Sequence, residues 1–106
     1  RDKITVPANF GMLQNYPNPF NPVTNITYNL PVAAKVRVII FNAIGQEVKN
    51  LVDETEEMGI RSLQWDATDN NSNSVSSGIY YCRIEAVPSV DGGMPFVQMK
   101  KMILLK

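Results

Sequence analysis

Apolar and polar residues alternate along most of this chain, so that every second side chain points to the same side of an extended backbone. This period of two is the pattern of a β-strand with one buried face. It is clearest in the segments 25–30 and 35–41. The side chains expected to point inward there are Ile26, Tyr28, Leu30, Val36, Val38 and Ile40. Because no window sustains the spacing of a helical face, the pattern predicts an all-β fold.

Residues typical of turns divide the alternating segments into six or seven short strands. Asn42 and Gly45 predict a tight reversal into a return strand at 47–52, which forms a β-hairpin with the strand before it. The segment 53–57 holds four acidic residues and is interpreted as a solvated turn. Further strands are expected at 61–66, 78–86 and 96–105, with loops at 66–77 and 87–95. This series is typical of an Ig-like antiparallel β-sandwich.

Length and composition indicate one folded domain whose core does not depend on a disulfide. The chain has 106 residues, of which 44% are hydrophobic and 19% are charged. A domain of this size buries about two-thirds of the surface that its unfolded chain exposes. The residues expected in the core are Val36, Val38, Ile40, Leu63, Trp65 and Tyr80.

The absence of histidine and the presence of a single cysteine, Cys82, exclude most catalytic chemistry. Without histidine the chain cannot build a Ser-His-Asp triad, a Cys-His dyad or a histidine-based zinc site. One cysteine allows neither an intrachain disulfide nor a metal cage made of cysteines alone. Cys82 is interpreted as a small buried hydrophobic residue, since only Arg83 is adjacent to activate its thiol. We therefore expect no enzyme activity and no cofactor.

Charge and hydropathy argue against two further classes of protein. Lys plus Arg and Asp plus Glu number 10 each, so the formal net charge is zero. A chain without a basic excess lacks the electrostatic footprint of a nucleic-acid-binding protein or of one that binds an anionic membrane. No apolar run approaches the roughly 20 residues of a membrane-spanning helix.

Two weaker patterns point to ligand sites, although both are also common in the absence of a ligand. Oxygen-bearing side chains in the loop 66–77 have spacings that resemble a calcium loop, but the glycine and the distal glutamate of an EF-hand are missing. These metal candidates are Asp66, Asp69, Asn71 and Asn73. Trp65, Tyr80 and Tyr81 could form a sugar-stacking platform, but alternation places Trp65 beside Leu63 in the core.

The segment 10–24 departs from strand alternation and contains three prolines, at positions 17, 19 and 22. Each proline fixes its own φ and moves the preceding residue out of the α region, which predicts a rigid extended course. Asparagine side chains are expected to supply the hydrogen bonds that prolines cannot donate, and Tyr16 and Phe20 to attach the segment to the sandwich. The residues of this structural strap are Asn15, Tyr16, Pro17, Asn18, Pro19, Phe20, Asn21 and Pro22. The chain is accordingly divided into a strap or linker at 1–24 and a sandwich at 25–106, within one domain overall.

An ordered series of short motifs gives the strap and the strands a specific resemblance. In chain order the motifs are LQNYPNPFNP at 13–22, ITY at 26–28, VRVIIFN at 36–42, WD at 65–66, VSSGIYY at 75–81 and KMILLK at 101–106. The series resembles the type IX secretion (Por secretion) C-terminal sorting domain, which is related to the Ig-like domain of flagellar hook-capping proteins. Each motif alone is weak, and it is their order over nearly the whole chain that makes the resemblance specific.

A few features depart from the pattern of that family. Ala67 stands where a glycine commonly follows the Trp-Asp pair, and Ser74 stands where the loop often has a glycine after asparagine. Cys82 replaces an aromatic or aliphatic residue, and the loop 87–95 is longer than usual. These departures concern loop shape and one core position, and they leave the terminal motif intact.

The resemblance implies a sorting function. Domains of this family lie at the C-terminus of secreted cargo proteins and take the cargo from the periplasm through the outer-membrane translocon to the cell surface or the medium. They are often then removed by a sortase-like protease. The implied partners are the translocon, this protease and an upstream cargo domain in the same chain, and the domain is expected to be monomeric.

The terminal segment 101–106 is the expected recognition element. Val97 and Met99 follow the strand alternation, Lys100 and Lys101 then break its phase, and 102–105 is apolar on both faces. Either a bulge resets the register or both faces are covered. Such a strand could dock to a receptor by edge pairing, and it is also compatible with a central strand of the sandwich. The residues expected to contact the translocon are Lys101, Met102, Ile103, Leu104, Leu105 and Lys106.

The alternative function is a passive Ig-like spacer or a carbohydrate-binding module of a secreted multidomain hydrolase. A spacer needs only a stable sandwich, whereas a carbohydrate-binding module also needs exposed aromatic side chains. The residues alone leave this alternative open.

Overall fold

Seven β-strands make up the regular structure of the chain in a computed structural model that describes residues 7–106. In chain order they are β1 (Gly11–Met12), β2 (Thr24–Leu30), β3 (Ala34–Asn42), β4 (Glu47–Glu56), β5 (Gly59–Trp65), β6 (Gly78–Pro88) and β7 (Phe96–Leu104). Within the described range there is no helix that could span a membrane.

The strands form two antiparallel sheets. β1, β2 and β5 form a three-stranded sheet with β2 in the centre, and the second sheet has the order β4-β3-β6-β7. Every pairing is antiparallel, and Cys82 is free. The predicted Ig-like β-sandwich of about seven strands without a disulfide is confirmed.

The core lies between the two sheets and is centred on Trp65. The indole ring of Trp65 lies with its centroid 5.7 Å from that of Phe20 and 5.3 Å from that of Tyr80. Its Nε1–H donates to the carbonyl oxygen of Thr68 at 2.9 Å, so the polar group of the buried ring is satisfied. Among the residues expected in the core, Leu63 is half-buried and packs against the rest. The buried ones are Val36, Val38, Ile40, Trp65 and Tyr80.

The acidic segment 53–57 is strand as far as Glu56, so its interpretation as a turn is wrong, although most of its side chains are exposed to solvent as expected. The pairing with β3 supplies the reason, since it places Arg37 opposite Asp53. Lys35 Nζ also lies 3.3 Å from Asp53 Oδ1. Backbone pairing and nearby cations therefore extend the strand where composition alone indicates a turn.

β7 pairs with β6 in one continuous register along its whole length, without a bulge. Val97 and Met99 point to the outer face and are each 51% exposed, and the register continues through Lys100 and Lys101, so the expected break in phase is wrong. The inward positions between them and beyond belong to Gln98 and Lys100. Gln98 fits because its Oε1 accepts a hydrogen bond from the N–H of Met12 at 2.9 Å. The inward and outward positions of β7 therefore alternate without a break. The sequence conceals this because Gln98, a polar residue, occupies an inward position.

Candidate functional site

The terminal segment 101–106 has a buried side and an exterior side. Met102 and Leu104 point inward and are fully buried. The exterior residues are Lys101, Ile103, Leu105 and Lys106, of which Ile103 is half-buried. The six residues predicted to contact a translocon thus divide into two that hold the strand in the core and four that a partner can reach. The apolar run needs neither a bulge nor a cover on both faces.

The strap covers the outer edge of β7 at this end of the strand. The N–H of Phe20 donates to the carbonyl oxygen of Ile103 at 2.9 Å, and the N–H of Leu105 donates to the carbonyl oxygen of Phe20 at 3.0 Å. Asn18 Oδ1 accepts a hydrogen bond from the N–H of Ile103 at 2.9 Å. Because these edge groups are already paired, a receptor could add a strand here only by displacing the strap.

Two residues outside the set of strap residues 15–22 also hold the terminal segment. Gln14 Nε2 donates to the carbonyl oxygen of Lys101 at 2.8 Å. Ser77 Oγ accepts a hydrogen bond from the N–H of Lys106 at 2.9 Å. Both residues lie within motifs of the series, at 13–22 and 75–81, but no period shows that they contact the terminal segment, because both contacts join parts of the chain that meet only in the folded domain.

Asn15 organises the strap from within. It is buried, and its Nδ2 donates to Thr24 Oγ1 at 2.9 Å and to the carbonyl oxygen of Pro17 at 3.2 Å. The hydroxyl of Thr24 donates to the same carbonyl at 2.8 Å. Side chains thereby supply donors in a segment where proline has no N–H. The strap residues on the surface are Tyr16, Pro17, Asn18, Pro19, Asn21 and Pro22.

The two aromatic side chains of the strap have opposite environments. Phe20 is 2% exposed and lies in the core, whereas Tyr16 is 77% exposed. Tyr16 joins the sandwich only through its backbone, which exchanges hydrogen bonds of 2.8 and 3.0 Å with Asn25. The expectation that both rings attach the strap is wrong for Tyr16, because the Tyr16–Asn25 pair lies on the solvent face. The division of the chain at 24/25 stays a prediction, and residues 1–6 of the expected linker lie outside the described range.

The loop 66–77 covers the opposite edge of the four-stranded sheet, which belongs to β4. The N–H of Asn70 donates to the carbonyl oxygen of Val48 at 3.0 Å. Asn70 Oδ1 accepts a hydrogen bond from the N–H of Asn50 at 2.9 Å. Both edges of the sheet are therefore covered over part of their length by another segment of the same chain.

The metal candidates in this loop direct their oxygens to groups within the loop. Asp69 Oδ1 accepts hydrogen bonds from the N–H groups of Asn71 and Asn73, at 2.9 and 3.0 Å. Asp66 Oδ1 accepts a hydrogen bond from the hydroxyl of Thr68, and this bond lowers the pKa of the Asp66 carboxyl below its usual value. Among residues 7–106, no group of three or more acidic or cysteine side chains is placed to hold a metal ion. These hydrogen bonds stabilise the conformation of the loop itself.

Ala67 occupies the position where the sorting-domain pattern commonly has a glycine. Its φ is +62°, in the left-handed region that a residue with a Cβ adopts at a cost of about 1–2 kcal/mol. Its side chain is buried, so the same methyl group adds contact in the core. Alanine in place of glycine therefore makes the left-handed backbone conformation less favourable but adds a methyl group to the core.

Cys82 and two of the three aromatic candidates lie in the core. Burial raises the pKa of the Cys82 thiol to about 12, which leaves it protonated and unreactive at neutral pH. Trp65 is fully buried, and the hydroxyl of the buried Tyr80 donates to the carbonyl oxygen of Ser76 at 2.6 Å. Trp65, Tyr80 and Tyr81 therefore form no exposed platform for a sugar.

Tyr81 belongs instead to the outer face of the four-stranded sheet. Strand pairing places Phe41 on one side of it and Lys101 on the other. A shallow hollow of about 290 Å³ is lined here by side chains that include Phe41, Tyr81, Arg83 and Met99. Strand alternation predicts that the side chains of β3 and β6 in this group point outward. Only the pairing of β3, β6 and β7 brings all four side chains together.

Comparison with solved structures shows the same fold in larger bacterial proteins. Dimeric latent PorU from Porphyromonas gingivalis matches with a TM-score of 0.70 and 20% identity, over 92% of this chain and 10% of that chain. FlgD from P. aeruginosa matches with a TM-score of 0.60 and 23% identity, over 76% and 60%. PorZ, an essential surface component of the type IX secretion system of P. gingivalis, matches with a TM-score of 0.52 and 19% identity, over 92% and 11%. This chain thus spans about a tenth of the length of PorU and of PorZ.

Sequence comparison places the chain in a family. No curated protein matches it. The FlgD Ig-like domain family matches residues 21–89, which run from the end of the strap to the start of the loop after β6. Because this match covers more than half of the chain, the protein belongs to the FlgD Ig-like domain family, a generally non-catalytic family of domains.

Proposed function

We propose that this domain is a sorting signal that takes a cargo protein in the same chain through the type IX outer-membrane translocon to the cell surface or the medium. The observation that carries the proposal is the arrangement of 101–106. Buried side chains and strap contacts hold this segment in place, so its exterior side chains have defined positions. A receptor can recognise such a surface by shape and charge, and recognition requires no catalytic group.

Similarity to proteins of P. gingivalis supports the proposal. PorZ is a surface component of the type IX secretion system, and 92% of this chain has a counterpart within it and within PorU. At about 20% identity these likenesses concern the fold. FlgD shares that fold too, so the sorting role itself rests on the terminal segment and the motif series.

The proposed partners are the translocon, a sortase-like protease that removes the domain, and an upstream cargo domain. The domain acts as a monomer, without nucleic acid, cofactor or catalysis of its own. It passes through the periplasm and reaches the cell surface or the medium. The zero net charge and the buried thiol of Cys82 are compatible with this passive role as an address.

Export of a fused reporter tests the function. A monomeric reporter, directed to the periplasm by its own signal peptide, is followed by residues 1–106 and expressed in a type IX-competent bacterium and in its translocon-deficient derivative. We expect the reporter at the surface or in the medium of the first strain and in the periplasm of the second. Fractionation followed by immunoblotting measures the distribution.

The matched control carries the Ig-like domain of FlgD from P. aeruginosa in place of this domain, since the two share a fold. We expect that fusion to stay in the periplasm of both strains. Equal export of the two fusions, or export that does not depend on the translocon, would contradict a sorting function.

A further inference from the structure

We infer that the secretion machinery binds this domain through the outer face of β6 and β7, with a partner surface that presents apolar side chains next to carboxylates. The inference deepens the proposed sorting function and rests on it. The surface, here called the outer patch, consists of Phe41, Ile79, Tyr81, Met99, Lys101 and Ile103.

In the folded domain, two other parts of the terminal segment are inaccessible to a partner: its inward side chains and its backbone edge. The inward side chains Met102 and Leu104 are fully buried, so a partner cannot reach them. The backbone edge is occupied by Asn18 and Phe20, which bond to the N–H and the carbonyl of Ile103. A partner that binds the intact domain at this strand is therefore left with its outer face.

The outer patch is continuous across three strands. Ile79 lies opposite Ile103, and Tyr81 lies opposite Lys101 in the next outward row of the same two strands. Phe41 of β3 flanks Tyr81 on its other side. Side chains opposite each other on one face of a sheet touch, so these rows form one contiguous surface, apolar apart from Lys101, rather than scattered exposed residues.

The charges around the outer patch favour an acidic partner. Among residues 7–106, no carboxylate lies within ion-pair distance of Lys101, the cation of the outer patch. Glu85, on the same outer face, is already shared between Arg37 at 3.3 Å and Arg83 at 3.4 Å. Unpaired cations beside an apolar surface are complementary to a partner with carboxylates at the rim of an apolar contact.

The composition of the outer patch favours a protein over a carbohydrate. Its most exposed apolar members, Ile79 and Met99, are aliphatic. Tyr81 and Phe41 are half-buried within the sheet face, so neither presents a free ring for sugar stacking. Tyr, Phe and Met are among the residues enriched in protein–protein interfaces.

A double variant in the outer patch tests the inference in the reporter fusion. Met99→Gln with Lys101→Glu removes apolar surface and reverses a charge. Its matched control is Val97→Gln with Lys35→Glu, on the same face at the far end of the sheet. Val97 and Met99 are equally exposed at 51%, and the two doubles change the net charge equally. We expect the exported fraction to fall about tenfold for the first double and to stay within about twofold for the control.

Three further readouts separate the outcomes. Ile79→Thr, a second variant in the outer patch, should also reduce export, and thermal melting of each purified domain shows whether a variant still folds. If the unmodified domain is exported only by the translocon but the patch variants and their control behave alike, the docking surface is wrong and the sorting function stands. If the unmodified domain is not exported, both are wrong. Unchanged export combined with variant-sensitive binding to lipopolysaccharide of the host strain would overturn the protein partner in favour of a carbohydrate.

Discussion

The two edges of the four-stranded sheet are both covered by other parts of the chain, but by different means. On β7 the strap contributes two backbone hydrogen bonds and places Phe20 in the core. On β4 the loop 66–77 contributes Asn70, which bonds to the edge through its backbone and its side-chain amide. The cover of β7 is therefore attached by a large aromatic anchor, whereas the loop over β4 places only the small Ala67 and the half-buried Val75 against the core and meets the edge itself through polar contacts.

This difference agrees with the proposed functions of the two edges, since only β7 contains residues of the recognition segment. An uncovered edge strand is a template for pairing with another chain, and both covers reduce that hazard. Only β7 bears the segment 101–106, whose exterior side chains must keep fixed positions if a receptor is to recognise them. Burial of an aromatic ring stabilises the folded state more than exposed hydrogen bonds do. The more strongly attached cover therefore lies over the proposed recognition segment 101–106.

The largest effect should come from removing the apolar anchor. Phe20→Ala leaves a cavity beside Trp65 and should lower the free energy of unfolding by about 3–5 kcal/mol. Tyr16→Ala, in the same strap, should change it by less than about 0.5 kcal/mol because that ring is exposed. Urea denaturation measures both, and alkylation of the buried Cys82 gives an independent reading of how often the core opens. Equal effects of the two substitutions would mean that the strap is held by its backbone alone.

An intermediate effect should come from the polar contacts, which allow a matched test of the two edges. Asn18 Oδ1 and Asn70 Oδ1 each accept a hydrogen bond of 2.9 Å from an N–H of the edge strand. Asn18→Ala and Asn70→Ala should each lower the free energy of unfolding by about 0.5–1.5 kcal/mol, since water can reach the freed groups. If Asn18→Ala were as costly as Phe20→Ala, the distinction between an apolar and a polar cover would fail.

The smallest effect should be a pH dependence confined to the loop that covers β4. The hydroxyl of Thr68 lowers the pKa of the Asp66 carboxyl, so ionised Asp66 favours the folded state. This contribution is complete above the carboxyl's unfolded pKa of about 4 and is lost as the pH falls through the lower folded value. Thr68→Val should therefore destabilise the domain at neutral pH and progressively less below about pH 4. Urea denaturation at several pH values measures this.

Thr27→Val is the control for that measurement, because the hydroxyl of Thr27 lies 3.4 Å from that of Ser62 and contacts no carboxylate. Its effect should not change with pH over the same range. A constant difference between the wild type and Thr68→Val would show that the Thr68–Asp66 bond does not control the titration of Asp66.

Most of the fold could be predicted because strand alternation is a local property. β2, β3 and β5 have nearly the predicted bounds, since most of their inward residues are apolar and alternate with polar residues along most of each strand. The prediction failed where a tertiary partner outweighs composition. Asp53 is in a strand because Lys35 and Arg37 of β3 lie beside it, and Gln98 points inward because Met12 gives its side chain a partner.

The candidate site was predictable as a pair of segments and not as a surface. The strap and the terminal segment could be recognised separately, one by its prolines and the other by its motif. That Phe20 bonds to Ile103 and Leu105, and that Gln14 and Ser77 assist, required the folded domain. These contacts join residues that are far apart in the chain, and no periodicity within either segment encodes them.

By itself, the sequence determined an all-β domain without histidine or disulfide, a rigid proline-rich strap and an apolar terminal strand. Its composition settled what chemistry is missing, because side-chain type does not depend on folding. The tertiary structure decided which half of the terminal segment is buried, which edge the strap covers and which outward side chains form one patch. These features depend on the pairing of distant strands, and pairing is settled only when both sheets close on a common core.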